Sequence, residues 1–354
     1  MNKTDGTETR LIFEGFQKGV NLGGWISQFA AWDPVHFDTF ITRDDIAHIA
    51  SLGFDHVRVP VDYNVLEDEE GHTLEDGFRH LEECRQWCEK FGLHMLIDLH
   101  ECYGYSFDPL KKDMDRKRFF YDEALQERFL DLWRKIALRF RDHAAQVAFE
   151  PLNEVVLMEV ADAWNDLAGR YIGVMREIIP DCRLVIGGVC YNSVLTVPLL
   201  SLPVHEGIVY NFHCYEPMAF SHQGAYWIED MPRDFRIGYP RTLKEYQEAG
   251  KDIAAFQGGA VWQEGIREIG EGFFEDIFAP AIEKAKKDGV PLYCGEYGVI
   301  DLAESADKLR WLQDIHAALN KYGIGRALWN YKEKDFGMQD ERFAGIREQF
   351  IRIL

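Results

Sequence analysis

Glu154 and Glu296 are the residues of this 354-residue chain whose type and setting promise chemistry. Each stands where a short apolar run gives way to a loop, Glu154 in VAFEPLNEVV (147–156) and Glu296 in PLYCGEYGVI (291–300). Runs of that kind read as β-strands. Two carboxylates delivered from separate strand ends can divide one reaction between them. One protonates a leaving oxygen while the other attacks the carbon it leaves, which is the division that acid-assisted cleavage of a glycosidic bond requires. An acid must keep its proton near neutrality and a nucleophile must lose it, so the two environments are expected to differ.

Such a pair works only if the chain brings distant strand ends together. Short apolar runs at 16–22, 56–61, 94–99, 147–152, 183–189, 208–215, 291–295 and 326–331 alternate with stretches of helical period at 43–51, 77–91, 123–143, 162–179, 273–287 and 305–322. In 123–143, Leu125, Phe129, Leu132, Trp133, Ile136, Ala137 and Phe140 recur at three- and four-residue steps, one apolar stripe of a helix. Gly92, Gly289 and Gly323 fall just past helical runs, where a chain leaves a helix most easily. Strands too continuously apolar for a half-exposed sheet, alternating with helices about eight times, predict an α/β fold with a parallel sheet covered by helices. At this length a closed (β/α)8 TIM barrel is favoured over an open doubly wound sheet. No G-x-G-x-x-G follows a strand, which weakens dinucleotide binding. The chain reads as one catalytic domain, with 216–272, rich in aromatics and Gly and too long for an ordinary connection, as a small subdomain inserted after the sixth strand.

A barrel of this kind carries its chemistry at the C-terminal ends of its strands. The polar and aromatic residues there are Asn21, Trp25, Arg58, His100, Glu101, Asn153, Glu154, His213, Tyr215, Glu296, Tyr297, Trp329 and Asn330. Any one of them could simply cap a helix or fasten a loop. An acidic pair surrounded by Arg, His, Asn, Tyr and Trp on nearly every strand is instead what handling a glycoside demands.

Composition limits the partners. With 60 acidic against 39 basic residues the formal net charge is -21, a field that repels nucleic acid and anionic membrane surfaces but not neutral ligands. Aromatic residues make up 14%, including nine Trp and fifteen Tyr, which suits stacking on sugar faces and equally suits a large core. The seven cysteines are scattered and odd in number, so they read as reduced, small apolar residues; Cys84 and Cys88 lack the second ligand pair a zinc site needs. The N-terminus MNKTDGTETR has no apolar h-region and no stretch approaches a membrane span. A cytoplasmic, monomeric protein is expected, with secretion after removal of a leader as the alternative.

The chain resembles glycoside hydrolase family 5, the large cellulase family of retaining barrel glycosidases. The likeness runs from GVNLGGWISQ (19–28) to ALWNYKEKDF (327–336), and FDHVRVPVDY, IVYNFHCYEP, LYCGEYGVI and LWNYK are similar to segments of the clostridial endoglucanase C type. The resemblance implies Glu154 as acid/base and Glu296 as nucleophile. It implies further that Arg58 and Tyr215 hold Glu296 charged, that His213 bonds Glu154, and that Asn153 reaches the sugar 2-hydroxyl. His100 would contact the same sugar and Trp329 would form its apolar floor, with a cis peptide bond to Asn330. In FSHQGAYW (220–227), His222, Gln223 and Trp227 are candidates for contacts beyond the reacting ring; Trp25, Trp32, Tyr103 and Trp262 are weaker ones. One departure stands out: relatives commonly have two adjacent histidines after the third strand, whereas this chain has His100-Glu101.

The implied reaction is double displacement with retention, needing no metal or organic cofactor, with carboxyl groups about 5–5.5 Å apart. The substrate expected is a β-1,4 or mixed β-1,3/1,4 glucan cut internally. Exo action on oligosaccharides, mannan or xyloglucan as substrate, and an inactive carbohydrate-binding barrel remain the alternatives.

Overall fold

A computed structural model describes residues 11–354. Eight parallel strands pair in sequence order and close on themselves: β1 (Lys18–Asn21), β2 (His56–Asp62), β3 (His94–Glu101), β4 (Val147–Glu150), β5 (Arg183–Gly187), β6 (Ile208–Cys214), β7 (Leu292–Tyr297) and β8 (Gly325–Leu328). Closure is made by β1 against β8, with Gly19 opposite Ala327. Helices Arg43–Ser51, Glu75–Phe91, Glu123–Phe140, Ala161–Ile178, Glu271–Asp288 and Ser305–Tyr322 cover the barrel. No helix among the described residues is long and apolar enough to cross a membrane.

Local signals account for these elements. Thr42 and Asp45 form a capping box at the start of Arg43–Ser51, each side chain satisfying a backbone N–H that the first turn leaves free. Glu75–Phe91 ends at Gly92 with φ +73, a left-handed position that a side chain would strain, and Gly289 and Gly323 end their helices likewise. The expected stripe of Glu123–Phe140 is buried along Phe129, Leu132, Trp133, Ile136, Ala137 and Phe140. After β5 the covering piece is only a 3-10 helix, Val194–Leu199, which contains Pro198.

Side chains alternate along each strand, and the alternation divides the core in two. Val57, Val59, Val61, Ile97, Leu99 and Phe149 face outward into the large cluster beneath the helices. Leu96, Ala148, Val185, Val209, Tyr293 and Ala327 face inward and, with Phe13 and Phe16, fill the barrel's lower interior. Two residues further along the same strands, the inward positions become Asp98, Glu150 and Asn211, all buried. The barrel is therefore apolar at its base and ionic near its mouth.

Between β6 and Glu271–Asp288 the inserted segment holds the short helices Met218–Ser221 and Leu243–Gly250 and two 3-10 turns. Its buried Phe220, Tyr239, Tyr246, Ile253, Phe256 and Val261 join the main hydrophobic cluster, so it leans on the barrel's core and does not enclose one of its own. All seven cysteines are free, and six are buried.

Candidate active site

Arg58 on β2 is the centre of the mouth. Fully buried, it donates from Nε and Nη2 to Glu150, from Nη1 to Glu296 Oε1 at 2.7 Å, and from Nη2 to Asn153 Oδ1 at 2.8 Å. Its Nη2 also lies 3.0 Å from Asp98 Oδ2. Burial opposes its charge, but the negative charges of Asp98, Glu150 and Glu296 outweigh that and hold the guanidinium protonated. Burial in turn pushes the Asp98 and Glu150 carboxyls up to about 7, with Arg58 pulling both down.

Glu296 lies within β7, where the strand's pairing with β8 slips between Cys294 and Tyr297. Such an irregularity re-aims a side chain. Glu296 Oε1 takes the Arg58 bond and Oε2 accepts from the Tyr215 hydroxyl at 2.8 Å. Glu154 stands beyond β4, four residues past the strand's last residue, Glu150. Its backbone is pinned by Tyr105, whose hydroxyl donates to Glu154 O at 2.7 Å and accepts from Val156 N. His213 Nδ1 shares a hydrogen bond with Glu154 Oε1 at 2.8 Å and lies 3.7 Å from Glu296 Oε2. One carboxylate oxygen of Glu154, one of Glu296 and a His213 ring nitrogen all fall within 4.8 Å of each other.

The two glutamates differ in proton affinity. Burial, followed by the charge of Glu296, pushes the Glu154 carboxyl well above the ordinary range. Burial raises Glu296 as well, but Arg58 and the Tyr215 hydrogen bond pull it back. Protons therefore leave the pair in two steps, and Glu296 is the better ionised member. Burial, assisted by Arg58, drives His213 well below its usual value and keeps it neutral. Burial also takes His100 down to about 3.

Around the pair, polar atoms are left over. His100 Nδ1 bonds Asp98 Oδ2 at 2.6 Å, yet its Nε2 has no partner among the described residues, nor do Asn153 Nδ2 and His213 Nε2. Buried polar atoms without partners are rare, and three at one barrel mouth are what a hydroxyl-rich ligand, able to donate and to accept, would satisfy. Trp329, 6% exposed, stacks parallel to His100 with ring centroids 5.8 Å apart, and its peptide bond to Asn330 is cis. The indole lies so close over β1's exit that a Cβ on Gly23 would come within 2.5 Å of it.

His222 and Trp227 join this group through ring contacts, His222 edge-on to Tyr215 at 4.9 Å and Trp227 at 6.0 Å from His222. Gln223 does not. Its amide donates to Phe220 O and Ile237 O, and its oxygen accepts from Ile237 N, so all its polar atoms fasten the inserted segment. Trp25 is fully buried and donates to Phe37 O, a core residue, whereas Trp32 and Trp262 are exposed and Tyr103 carries Arg128 over its ring. Sequence reasoning missed Asp98, Glu150 and Asn211. Their signal was a charged or amide residue at an inward position of an otherwise apolar strand.

Glu154, His213 and Glu296 are close enough to ligate a cation. A metal would have to displace their hydrogen bonds to one another, to Tyr215 and to Arg58, and would sit beside a fixed positive charge. The donor set therefore fits proton transfer and nucleophilic attack better than metal binding.

Comparison with known proteins bears on this arrangement. The model of the family described as cellulase (glycosyl hydrolase family 5) matches residues 14–335. The chain is 38% identical over 342 residues to endoglucanase C of Acetivibrio thermocellus, covering 96% of this chain and 98% of that one. It is also 38% identical to cellodextrinase A of Ruminococcus flavefaciens, over 89% of this chain and 85% of that one. Among solved structures, endoglucanase Cel5A of Thermotoga maritima superposes with a TM-score of 0.73 at 22% identity, covering 96% of each chain, a likeness of fold.

Proposed function

This chain belongs to the cellulase family, glycosyl hydrolase family 5, and we propose that it is a retaining endo-β-1,4-glucanase. The observation that carries the reading is the approach of one oxygen each from Glu154 and Glu296 to within 4.8 Å, both near His213 Nδ1. Retaining enzymes hold their carboxyl groups about 5–5.5 Å apart, and inverting ones leave roughly 6.5–9.5 Å for a water.

In this reading Glu296, kept more acidic by Arg58 and Tyr215, attacks the anomeric carbon. Glu154, kept protonated by burial, gives its proton to the leaving oxygen. The same carboxylate then takes a proton from water, which releases the glycosyl ester on Glu296. Asn153 has its oxygen fixed by Arg58, so its free Nδ2 is presented to the sugar 2-hydroxyl, where a hydrogen bond strengthens as positive charge develops on the ring. Trp329 supports the ring's apolar face.

The match with endoglucanase C over nearly the whole of both chains supports internal cleavage of β-1,4-glucan. A second reading, action on short oligosaccharides, draws on the equal likeness to a cellodextrinase. It draws also on Lys112 and Glu229, which join the loop after β3 to the inserted segment at 2.8 Å. Product sizing on soluble cellulose derivatives, lichenan and cello-oligosaccharides separates the two. A rapid fall in viscosity with mixed products supports endo action, and release of one short product with viscosity unchanged rejects it. Proton NMR of the first product tests retention, since an initial α-anomer from a β-linked substrate contradicts the assigned pair.

A further inference from the structure

The loop after β8 carries an aromatic ring that the reaction above does not use. Phe336, 5% exposed, lies outside the large core and belongs to a separate cluster at the barrel mouth with Ala225, Ile300 and Trp329. Its ring centroid lies 5.9 Å from that of Tyr215 and 5.6 Å from that of His222, and those two are 4.9 Å apart, so the three rings touch pairwise. The Phe336 ring also lies against Gly298, two residues beyond Glu296, where a Cβ would come within 3.3 Å of it. Phe336 is therefore adjacent both to the ring that donates to Glu296 and to the strand end that carries Glu296.

The backbone that delivers this ring is strained. Glu333, Lys334 and Asp335 have φ of +60, +53 and +61, three successive left-handed residues with no glycine among them. Each costs energy that persists only where the surroundings fix it, and such strain collects where a fold holds a functional group in place. Here Asp301 N donates to Asp335 O at 2.6 Å, the Asp340 carboxylate accepts from Glu333 N at 3.1 Å, and Lys334 Nζ donates to Gln28 O. Phe336 closes the turn, its N donating to Glu333 O at 3.3 Å and its O accepting from Asn330 N at 3.4 Å. A loop fastened at so many points presents its ring in one place.

Tyr215 needs such a stop. Its side chain is half-buried, and its hydroxyl reaches Glu296 Oε2 at 2.8 Å from the far end of the ring. A small rotation about its Cα–Cβ bond swings that hydroxyl out of hydrogen-bond range. We propose that Phe336 is a positioning residue, which holds the Tyr215 ring, and through it the Glu296 carboxylate, in the geometry of nucleophilic attack. This rests on the glycoside hydrolase reading of the site. The Tyr215 hydrogen bond favours ionised Glu296, so the place where Phe336 sets that hydroxyl bears on the proton affinity of the nucleophile. The other titratable groups facing Glu296 are Arg58 on β2, Asp98 and His100 on β3, Glu154 beyond β4 and His213 on β6. Among the described residues, Tyr215 alone of the groups facing Glu296 makes a ring contact with Phe336.

The test reads the acidic limb of kcat/KM on an aryl β-cellobioside and, on the same proteins, the titration of the Glu296 carboxyl by carbon-13 NMR, its resonance identified by its absence in Glu296→Gln. In Phe336→Ala both should move up by roughly half to one pH unit, while kcat falls about threefold to tenfold and KM changes little, the worth of one misplaced hydrogen bond. Phe336→Leu, which refills much of the space, should shift both by less and serves the same comparison if the alanine variant does not fold. With Tyr215→Phe already in place, Phe336→Ala should add no further upward shift, because no hydroxyl is left to misplace. A limb and a carboxyl titration that stay put in both variants, with only the melting temperature lowered, would make Phe336 a packing residue and overturn the proposal. An equal shift in the Tyr215→Phe background would overturn it too. A wild type that hydrolyses no glycoside would overturn the hydrolase reading, and the carboxyl titration would still decide the role of Phe336.

Discussion

Glu150 grips Arg58 along one whole edge of the guanidinium, with Nε donating to Oε2 at 2.7 Å and Nη2 to Oε1 at 2.9 Å. That paired geometry fixes the plane of the guanidinium, and the plane decides where Nη1 points, which is at Glu296. Glu150 is held in turn by Asn211 Nδ2 at 2.8 Å. The aim of Glu296 is thus set from the opposite side of the barrel, by a residue that touches no substrate.

Glu150→Gln should therefore damage both folding and turnover. The replacement keeps the shape, but it removes one acceptor and the charge that balances a fully buried arginine, and breaking such a pair costs about 3 kcal/mol or more. Urea unfolding should show a lower midpoint at unchanged slope, and kcat should drop while KM moves little. A wild-type midpoint would mean that Asp98 and Glu296 suffice to hold Arg58.

Glu154→Ala tests the acid. Loss of proton donation should cost roughly 10²–10⁴ in rate for a poor leaving group and much less for an activated aryl glycoside, whose departure needs no proton. Azide, a small anion fitting the space left, should restore turnover of the activated substrate as a glycosyl azide of retained configuration. Equal losses on both substrates, with no azide product, would remove Glu154 from that role.

The strands were legible because their continuous apolar character is itself a consequence of burial on both faces: His56, Val147, Arg183 and Ile208 each begin a strand at the residue the sequence pattern marks. Helices Arg43–Ser51 and Ser305–Tyr322 match their predicted bounds for a related reason, a strong amphipathic period with clear stops. Legibility failed where a residue's role depends on who faces it. Glu150 and Asp98 sit inside apolar runs, and only the closure of the barrel turns them toward Arg58. Gln223 has a residue type suited to sugars, but its partners Phe220 and Ile237 belong to a loop fold that no periodicity encodes. The short Val194–Leu199 turn in place of a fifth covering helix was equally hidden, since no helical period was there to read.

Tyr215→Phe should move the acidic limb of the pH profile. Activity needs Glu296 ionised, and the Tyr215 hydroxyl favours that form by donating to Oε2. Without it the carboxyl holds its proton to higher pH, so the acidic limb of kcat/KM should rise by about one pH unit, the worth of a hydrogen bond to a charged group. The basic limb, which reports Glu154, should stay nearly in place. A profile that merely drops at every pH would show that Tyr215 acts on geometry and not on ionisation.

Glu154→Gln should make the protein more stable while making it a poor enzyme, and the gain should depend on pH. Burial raises the folded-state pKa of Glu154 above its unfolded value, so folding favours the protonated form. The stability that the protonated carboxyl contributes is fully present below the ordinary glutamate pKa, about 4.3, and is lost as pH rises through the raised folded value. Glutamine has no proton to lose and still offers an oxygen to His213. Unfolding free energies of wild type and variant should therefore nearly coincide at pH 4 and diverge toward pH 8, where the variant should lead by roughly 1–3 kcal/mol. Parallel curves across that range would mean that the native structure accommodates the ionised Glu154 without cost, and the basis for its role as the proton donor would be gone.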